Sequence, residues 1–285
     1  MISDLPAFDL DTFVRATLAE DLGSGGDITS AAVIPAAARL TAIMASRHDV
    51  VVAGLAIAEA FFRVADPAVA VEHLARDGDR VSAGTPLLRL TGNARALLAA
   101  ERSALNTVQH LTGIATLTRS YVDAIAGTGA ILLDTRKTLP GLRSLEKYAT
   151  RMGGATNHRL RLDDGVLIKD NHVAVAGGVD AAVRAAVAAG HGIAAGGLGI
   201  VVEVDRLDQI EPALAAGADR LLLDNMDVPA LRAAITLIGG RVPTEASGGV
   251  RLETIGAIAA TGVTFISVGR LTHSAPAADI GLDYA

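Results

Sequence analysis

The chain has no cysteine, which excludes disulfides and thiolate metal sites and makes a reducing compartment the simplest setting. Aromatic residues make up only 3%, too few for a platform on which nucleobases stack. Basic charge is also short. The 25 Lys and Arg face 31 Asp and Glu, and the formal net charge of -6 is the opposite of what a nucleic-acid binder carries. Long apolar runs are missing. The longest uncharged stretch, Ala185 to Val202, is interrupted by glycines, and a membrane-spanning helix needs about 20 strongly apolar residues. It reads as a helix end, a glycine loop and a strand. The first residues, Met1 to Asp11, are acidic and show no basic segment ahead of an apolar core, so no signal peptide is expected. The expectation is a cytoplasmic protein with neither nucleic acid nor membrane as partner.

Hydrophobic residues, many of them alanine, make up 51% of the 285 residues, enough for one large core or two modest ones. Residues 8–22 have helical spacing, with Phe8, Leu10, Phe13, Val14 and Leu18 mostly on one face. The turn Gly23-Ser-Gly-Gly26 and Asp27-Ile-Thr-Ser30 read as a loop before a strand; no Lys-Ser/Thr pair follows to make a phosphate loop. Strands are expected within 40–54 and 69–90, with a helix at Leu55 to Ala65 between them. Residues 94–126 read as helical, with a break at Gly113. This half suits an α+β unit.

From about residue 128 the pattern becomes regular. Apolar strands are expected at Ala130–Leu133, Gly165–Ile168, Ile200–Val204, Arg220–Leu223, Val242–Thr244 and Thr264–Val268. Helices are expected at Val179–Ala189, Leu207–Ala216, Pro229–Ile238 and Leu252–Ala260. Repeated strand–helix units imply a parallel sheet closed, or nearly closed, into an α/β barrel. Polar groups recur at the C-terminal strand ends: Asp134-Thr-Arg-Lys137, Lys169-Asp-Asn-His172, Glu203, Asp224-Asn225, Glu245-Ala-Ser247 and Gly269-Arg270. In α/β barrels that face carries the active site.

Three constellations stand out there. Arg136, Lys137, His158, Arg159 and Lys169 form a cationic group in an acidic chain and call for an anionic ligand. Glu203 and Asp224 could hold magnesium, directly or through water, or orient sugar hydroxyls. Glu245-Ala-Ser-Gly-Gly-Val250 leads into a helix, and with Gly269 it makes a phosphate cradle in the position that barrels favour. No serine-elbow triad and no Rossmann fingerprint appear; Gly190 to Gly199 precedes a strand and reads as a connection.

These residues resemble one family. Asp134-Thr-Arg-Lys-Thr-Leu-Pro-Gly-Leu-Arg143, Leu145-Glu-Lys-Tyr-Ala149, Gly153-Gly154, Asn157-His-Arg159 and Leu167-Ile-Lys-Asp-Asn-His172 look like the signature of quinolinate phosphoribosyltransferases. Leu223-Asp-Asn-Met226, Glu245-Ala-Ser-Gly-Gly249 and Leu271-Thr-His-Ser274 match further along, as do Glu20-Asp-Leu-Gly23, Gly26-Asp-Ile-Thr29 and Glu101-Arg-Ser-Ala-Leu-Asn106 near the start. The resemblance spans nearly the whole chain and implies an N-terminal α/β sandwich domain plus a C-terminal open six-stranded α/β barrel. The boundaries drawn on that basis are 1–112 for the sandwich, with the tail 275–285 packing on it, and 113–274 for the barrel.

The resemblance also implies the reaction. Quinolinate and 5-phosphoribosyl-1-pyrophosphate, with magnesium and no organic cofactor, give nicotinate mononucleotide, pyrophosphate and carbon dioxide. It implies a homodimer or a hexamer of dimers. Arg136, His158, Arg159 and Lys169 correspond to residues around the quinolinate carboxylates, with Thr135 and Lys137 beside them. Arg102 corresponds to an arginine reaching the partner's site, and Glu203 and Asp224 to carboxylates near ribose and magnesium. Ser247, Gly248, Gly249 and Gly269 correspond to the 5-phosphate site, with His273 close by. Lys169 is the expected catalytic cation for decarboxylation.

Ala155 and Arg161 stand where the family usually has glycine, Arg161 adding a cation beside the site, and the Gly190–Gly199 loop is longer than usual. Two rival readings are a paralogue associated with molybdate transport and a non-catalytic anion-binding barrel. The intact Lys169-Asp-Asn-His172 and Leu223-Asp-Asn225 segments speak against the first, and the retained Glu203 and cationic group against the second.

Overall fold

A computed structural model describes residues 8–192 and 199–285. They divide into two units: residues up to Arg119 with Pro140–Gly154 and Ser274–Ala285, and Ser120–Leu139 with Ala155–His273.

The first unit runs α1 (Leu10–Leu22), α2 (Ile28–Val33), β1 (Arg39–Ser46), β2 (Val50–Val51), α3 (Leu55–Ala65), β3 (Ala70–His73), β4 (Arg80–Val81), β5 (Pro86–Asn93) and α4 (Ala94–Ala124), whose final residues from Ser120 belong to the second unit. It also holds α5 (Arg143–Met152) and β12 (Ile280–Tyr284). Four strands form an antiparallel sheet in the order β12-β1-β5-β3, with Ala42 opposite both Leu90 and Tyr284. One core joins Phe61 and Phe62 of α3, Leu87, Leu88 and Leu90 of β5, and Leu97, Val108, Leu111 and Ile114 of α4. Asp77 accepts the N–H groups of Gly54 (2.9 Å) and Leu55 (3.1 Å) at the start of α3 and the Tyr148 hydroxyl (2.5 Å).

Two expectations fail in this unit. The segment after Gly26 is helical, because the Asp27 carboxylate accepts the Ser30 N–H at 2.9 Å and caps α2. The break at Gly113 is absent, since α4 runs continuously from Ala94 to Ala124. Gly113 answers a steric demand instead: a Cβ there would collide with the Pro276 carbonyl of the C-terminal tail.

The second unit holds β6 (Ile131–Leu133), β7 (Val166–Ile168), α6 (Asp170–Ala176), α7 (Val179–Ala188), β8 (Ile200–Val204), α8 (Ile210–Ala216), β9 (Arg220–Asp224), α9 (Val228–Ile238), β10 (Thr244–Ser247), α10 (Leu252–Ala259), β11 (Phe265–Ser267) and α11 (Arg270–His273). Its six strands are all parallel, in the order β6-β11-β10-β9-β8-β7. β6 and β7, consecutive in the chain, therefore lie at opposite ends of the sheet, and the barrel is open between them. The free edge of β6 is met by Thr156, which accepts from Asp134 N–H at 3.3 Å and donates to Leu132 C=O at 2.9 Å. Val202, Leu221, Leu223, Ala246 and Ile266 fill the strands' buried positions, as parallel strands covered on both faces require.

One strand differs from its sequence reading in a way that matters. The fifth barrel strand is Thr244–Ser247, two residues later than Val242–Thr244. Pro243 has no N–H to give a ladder, so regular pairing begins after it. Glu245 consequently lies inside the sheet, opposite Leu222 and Phe265, and is fully buried. The long loop read at Gly190–Gly199 lies partly outside the described residues, which omit 193–198, and the N-terminal segment read for a signal peptide lies mostly outside them. Among the described residues no helix is long and apolar enough to cross a membrane.

Candidate active site

The C-terminal ends of the barrel strands surround a cavity of about 690 Å³. That is within the usual size for a small-molecule site.

Asp134, directly after β6, is fully buried and organises one wall. Its carboxylate accepts the side-chain amide of Asn157 at 2.5 Å and the His158 N–H at 2.8 Å, tying residues 157–158 to the strand end. Thr135, Arg136, Lys137, His158 and Arg159 all line the cavity from there. Arg159 is almost fully buried and donates to the Gly165 carbonyl at 2.8 Å. Burial, and then the adjacent Arg136 charge, lower its pKa from the ordinary value. Two guanidiniums that repel one another in a buried setting favour an anion beside them. Lys169, after β7, completes the cationic side.

Glu203 of β8 and Asp224 at the end of β9 line the same cavity next to Lys169. Lys169 Nζ stands 3.8 Å from Glu203 Oε2. Glu203 has a raised pKa, from burial and then from the Asp224 charge, with Lys169 opposing. Asp224 is also raised, mainly by burial, against the Asn225 hydrogen bond and the Lys169 and Lys137 charges. Burial thus makes ionisation of both carboxylates costly, and a cation or a developing positive charge beside them would offset that cost.

Beyond Ser247 the chain turns through Gly248 (φ 89°) and Gly249 (φ 62°) before α10 begins after Arg251. Left-handed backbone at two successive positions favours glycine, and at Gly248 a Cβ would also collide with Asn225 Oδ1. Ser247, Gly248, Gly249, Gly269 and His273 all line the cavity. Gly269 makes room for its neighbours: a Cβ there would lie 2.9 Å from Lys137 Cδ and 3.3 Å from His273 Nε2.

The fold therefore brings together every residue expected at the site except Arg102, which is exposed on α4 in the first unit and does not line this cavity. Arg161 is not among the lining residues either; its guanidinium pairs with Asp163 at 2.9 Å. Asn225, Glu245, Arg251, Ser267 and Arg270 line the cavity but were not singled out as site residues. Asn225, Glu245 and Arg270 stood in the strand-end motifs, so their signal was visible; Arg251 and Ser267 carried none. His172, part of the Lys169 motif, does not line the cavity; its Nδ1 accepts the Lys169 N–H at 2.9 Å.

An open parallel barrel with clustered cations, an acidic pair and a left-handed glycine turn at one end has the form of an enzyme site for an anionic small molecule. Comparison with known proteins narrows the class. The family described as "Quinolinate phosphoribosyl transferase, C-terminal domain" matches residues 114–283, and the corresponding N-terminal domain matches 27–112. The nicotinate-nucleotide pyrophosphorylase (carboxylating) of Mycobacterium leprae is 45% identical, covering 99% of this chain and 100% of its own. The chloroplastic protein of that name from Arabidopsis thaliana is 42% identical, over 97% of this chain and 83% of its own. Among solved structures, NadC of Streptococcus pyogenes aligns with a TM-score of 0.91 at 38% identity, covering 99% of each chain. The nicotinate-nucleotide pyrophosphorylase of Francisella tularensis aligns with a TM-score of 0.90 at 38% identity, covering 97% of this chain and 96% of that one. The chain belongs to the quinolinate phosphoribosyltransferase family.

Proposed function

We propose that the protein transfers the phosphoribosyl group of 5-phosphoribosyl-1-pyrophosphate to quinolinate with decarboxylation, yielding nicotinate mononucleotide, pyrophosphate and carbon dioxide for NAD synthesis. The observation that carries this reading is the division of one cavity into a cationic wall, an acidic pair and a phosphate turn. Quinolinate is a dianion, and Arg136, Arg159 and Lys169, flanked by Thr135 and Lys137, supply fixed cations and donors for its two carboxylates, with His158 lining the same wall. Ser247, Gly248, Gly249 and Gly269, with His273, receive the 5-phosphate.

With both substrates held, the pyridine nitrogen attacks the anomeric carbon, and the bond to pyrophosphate breaks with its electrons. Positive charge grows on the ribose ring, and Glu203 and Asp224 stabilise it. The ring nitrogen is then cationic. Carbon dioxide leaves the adjacent carbon, the electron pair stays on the ring beside that nitrogen, and a proton replaces the carboxylate. Lys169 orients the departing carboxylate or assists the reprotonation.

The residues also fit magnesium arriving with the pyrophosphate substrate. Among the described residues no cluster of three or more His, Cys, Asp or Glu side chains could hold a metal alone. Magnesium commonly uses one or two carboxylates plus substrate phosphates, and Glu203 and Asp224 supply that pair, directly or through water. When bound, the ion supplies charge neutralisation for pyrophosphate. No organic cofactor enters the chemistry. A homodimer or a hexamer of dimers accords with an exposed Arg102 acting in a neighbouring copy's site. A cytoplasmic setting suits substrates too highly charged to cross a lipid bilayer unaided.

The test is direct. Purified protein with quinolinate, phosphoribosyl pyrophosphate and magnesium is expected to form nicotinate mononucleotide. No product with quinolinate, or equal product with nicotinate, would overturn the reading.

A further inference from the structure

Asn225 is the one non-glycine residue with a positive φ, 54°, among the described residues. This left-handed conformation strains most L-residues, and asparagine is among the few that tolerate it. The strain sits where the two halves of the phosphoribosyl site meet. Asn225 follows Asp224 at the end of β9, and its side-chain amide donates to Asp224 Oδ2 at 2.5 Å. Its backbone N–H donates to the Ser247 carbonyl at 2.9 Å, across the β9–β10 pair. Its side-chain oxygen occupies the space that a Cβ on Gly248 would need. One residue thus touches the acidic pair and the phosphate turn at once.

The chemistry of the side chain matches both contacts. Glycine would accept the backbone angle with less strain, but it has no amide to hold Asp224. Aspartate is nearly the same shape and also tolerates the angle, but it has no N–H donor and adds negative charge beside Asp224 and Glu203. Only an amide of this length supplies the donor to Asp224 and the packing against Gly248 together.

We propose that Asn225 is a positioning residue that fixes the Asp224 carboxylate and seats the Gly248 turn against it, so that ribose and its 5-phosphate are held at one spacing. The inference rests on the reading of Glu203, Asp224 and Ser247–Gly249 as the phosphoribosyl side of the cavity. It adds a residue whose role is to couple those two contacts.

The variants Asn225→Gly and Asn225→Asp test it in the full-length protein. The measurements are thermal unfolding, kcat and KM for each substrate, and calorimetric binding of ribose 5-phosphate without metal. Asn225→Gly is expected to keep the wild-type Tm or exceed it, because left-handed strain is relieved. It should lose at least about tenfold in kcat/KM for phosphoribosyl pyrophosphate, bind ribose 5-phosphate more weakly and leave the quinolinate KM within about twofold. Asn225→Asp should lose more than Asn225→Gly despite its closer shape. Wild-type kinetics and ribose 5-phosphate affinity in Asn225→Gly would overturn the proposal, as would equal losses on the quinolinate and phosphoribosyl sides. Either result leaves the activity itself standing. Failure of the wild-type protein to make nicotinate mononucleotide defeats the functional reading instead, which keeps the two outcomes distinct.

Discussion

His158 Nε2 stands 3.5 Å from Oε1 of Glu245, a carboxylate with no solvent exposure at all. The other Glu245 oxygen meets Arg220 Nη1 at 3.3 Å, and the Arg220 guanidinium lies 4.1 Å from the ring centre of Phe265. The second nitrogen of His158, Nδ1, accepts the Arg159 N–H at 2.7 Å. A cavity-lining imidazole is therefore held from behind by the barrel's own core.

Burial alone would raise the Glu245 pKa, but the neighbouring His158, then Ser267 and Arg220, bring it below the ordinary 4.5. A carboxylate with a depressed folded-state pKa stabilises the fold above its unfolded pKa, and that contribution is lost as pH falls through the folded value. Glu245→Gln is expected to destabilise the protein by about 1–3 kcal/mol at neutral pH. The gap to wild type should narrow once pH drops below about 4.5. Urea unfolding of both proteins between about pH 3 and about pH 7 checks this. A constant gap would mean that folding leaves the Glu245 pKa unchanged, and a gap that widens as pH falls would mean that folding raises it.

Lys169 stands 3.8 Å from Glu203, with its side chain half exposed toward the cavity. If it assists loss of carbon dioxide, Lys169→Met lowers kcat by about 100-fold or more, beyond any rise in the quinolinate KM. Steady-state kinetics decide the matter. Intact turnover with only weaker quinolinate binding would reduce Lys169 to a binding residue.

Gly113 is the point where α4 accepts the C-terminal tail, and backbone cannot yield as a flexible side chain can. Gly113→Ala should cost about 1–3 kcal/mol despite alanine's better helix propensity. A neutral or stabilising result by denaturant titration would mean that the tail packs elsewhere.

Arg102 does not line the cavity formed by its own barrel unit. If it serves a neighbouring copy, the active species is at least a dimer. Mixing inactive Arg102→Ala chains with inactive Lys169→Met chains should then restore part of the activity. A fully active monomer on size-exclusion chromatography would remove Arg102 from the chemistry.

The sequence made the barrel legible because its strands are short apolar runs spaced by amphipathic helices, and Ile200–Val204 is found with its expected bounds. The helix Leu55–Ala65 is likewise unchanged, its apolar face having only one sensible way to pack. Local pattern misled where a residue's reason lies elsewhere in the chain. Gly113 looked like a helix breaker because the tail that demands it is more than 150 residues away. Glu245 looked like a strand-end polar group because the strand was started before Pro243, and because Arg220 and His158, which meet its carboxylate, lie far from it in the chain.

By itself the sequence determined which residues the site gathers: the cations Arg136, Arg159 and Lys169, the acids Glu203 and Asp224 and the glycines Gly248 and Gly249 all stand in its motifs. Only the tertiary structure decided how those groups are held. Which neighbours tie Asp134 to His158, Glu245 to Arg220 and Asn225 to Gly248 depends on strand order and register. The parallel sheet sets that register by joining segments far apart in the chain, and their contacts leave no periodic trace in the residues between them.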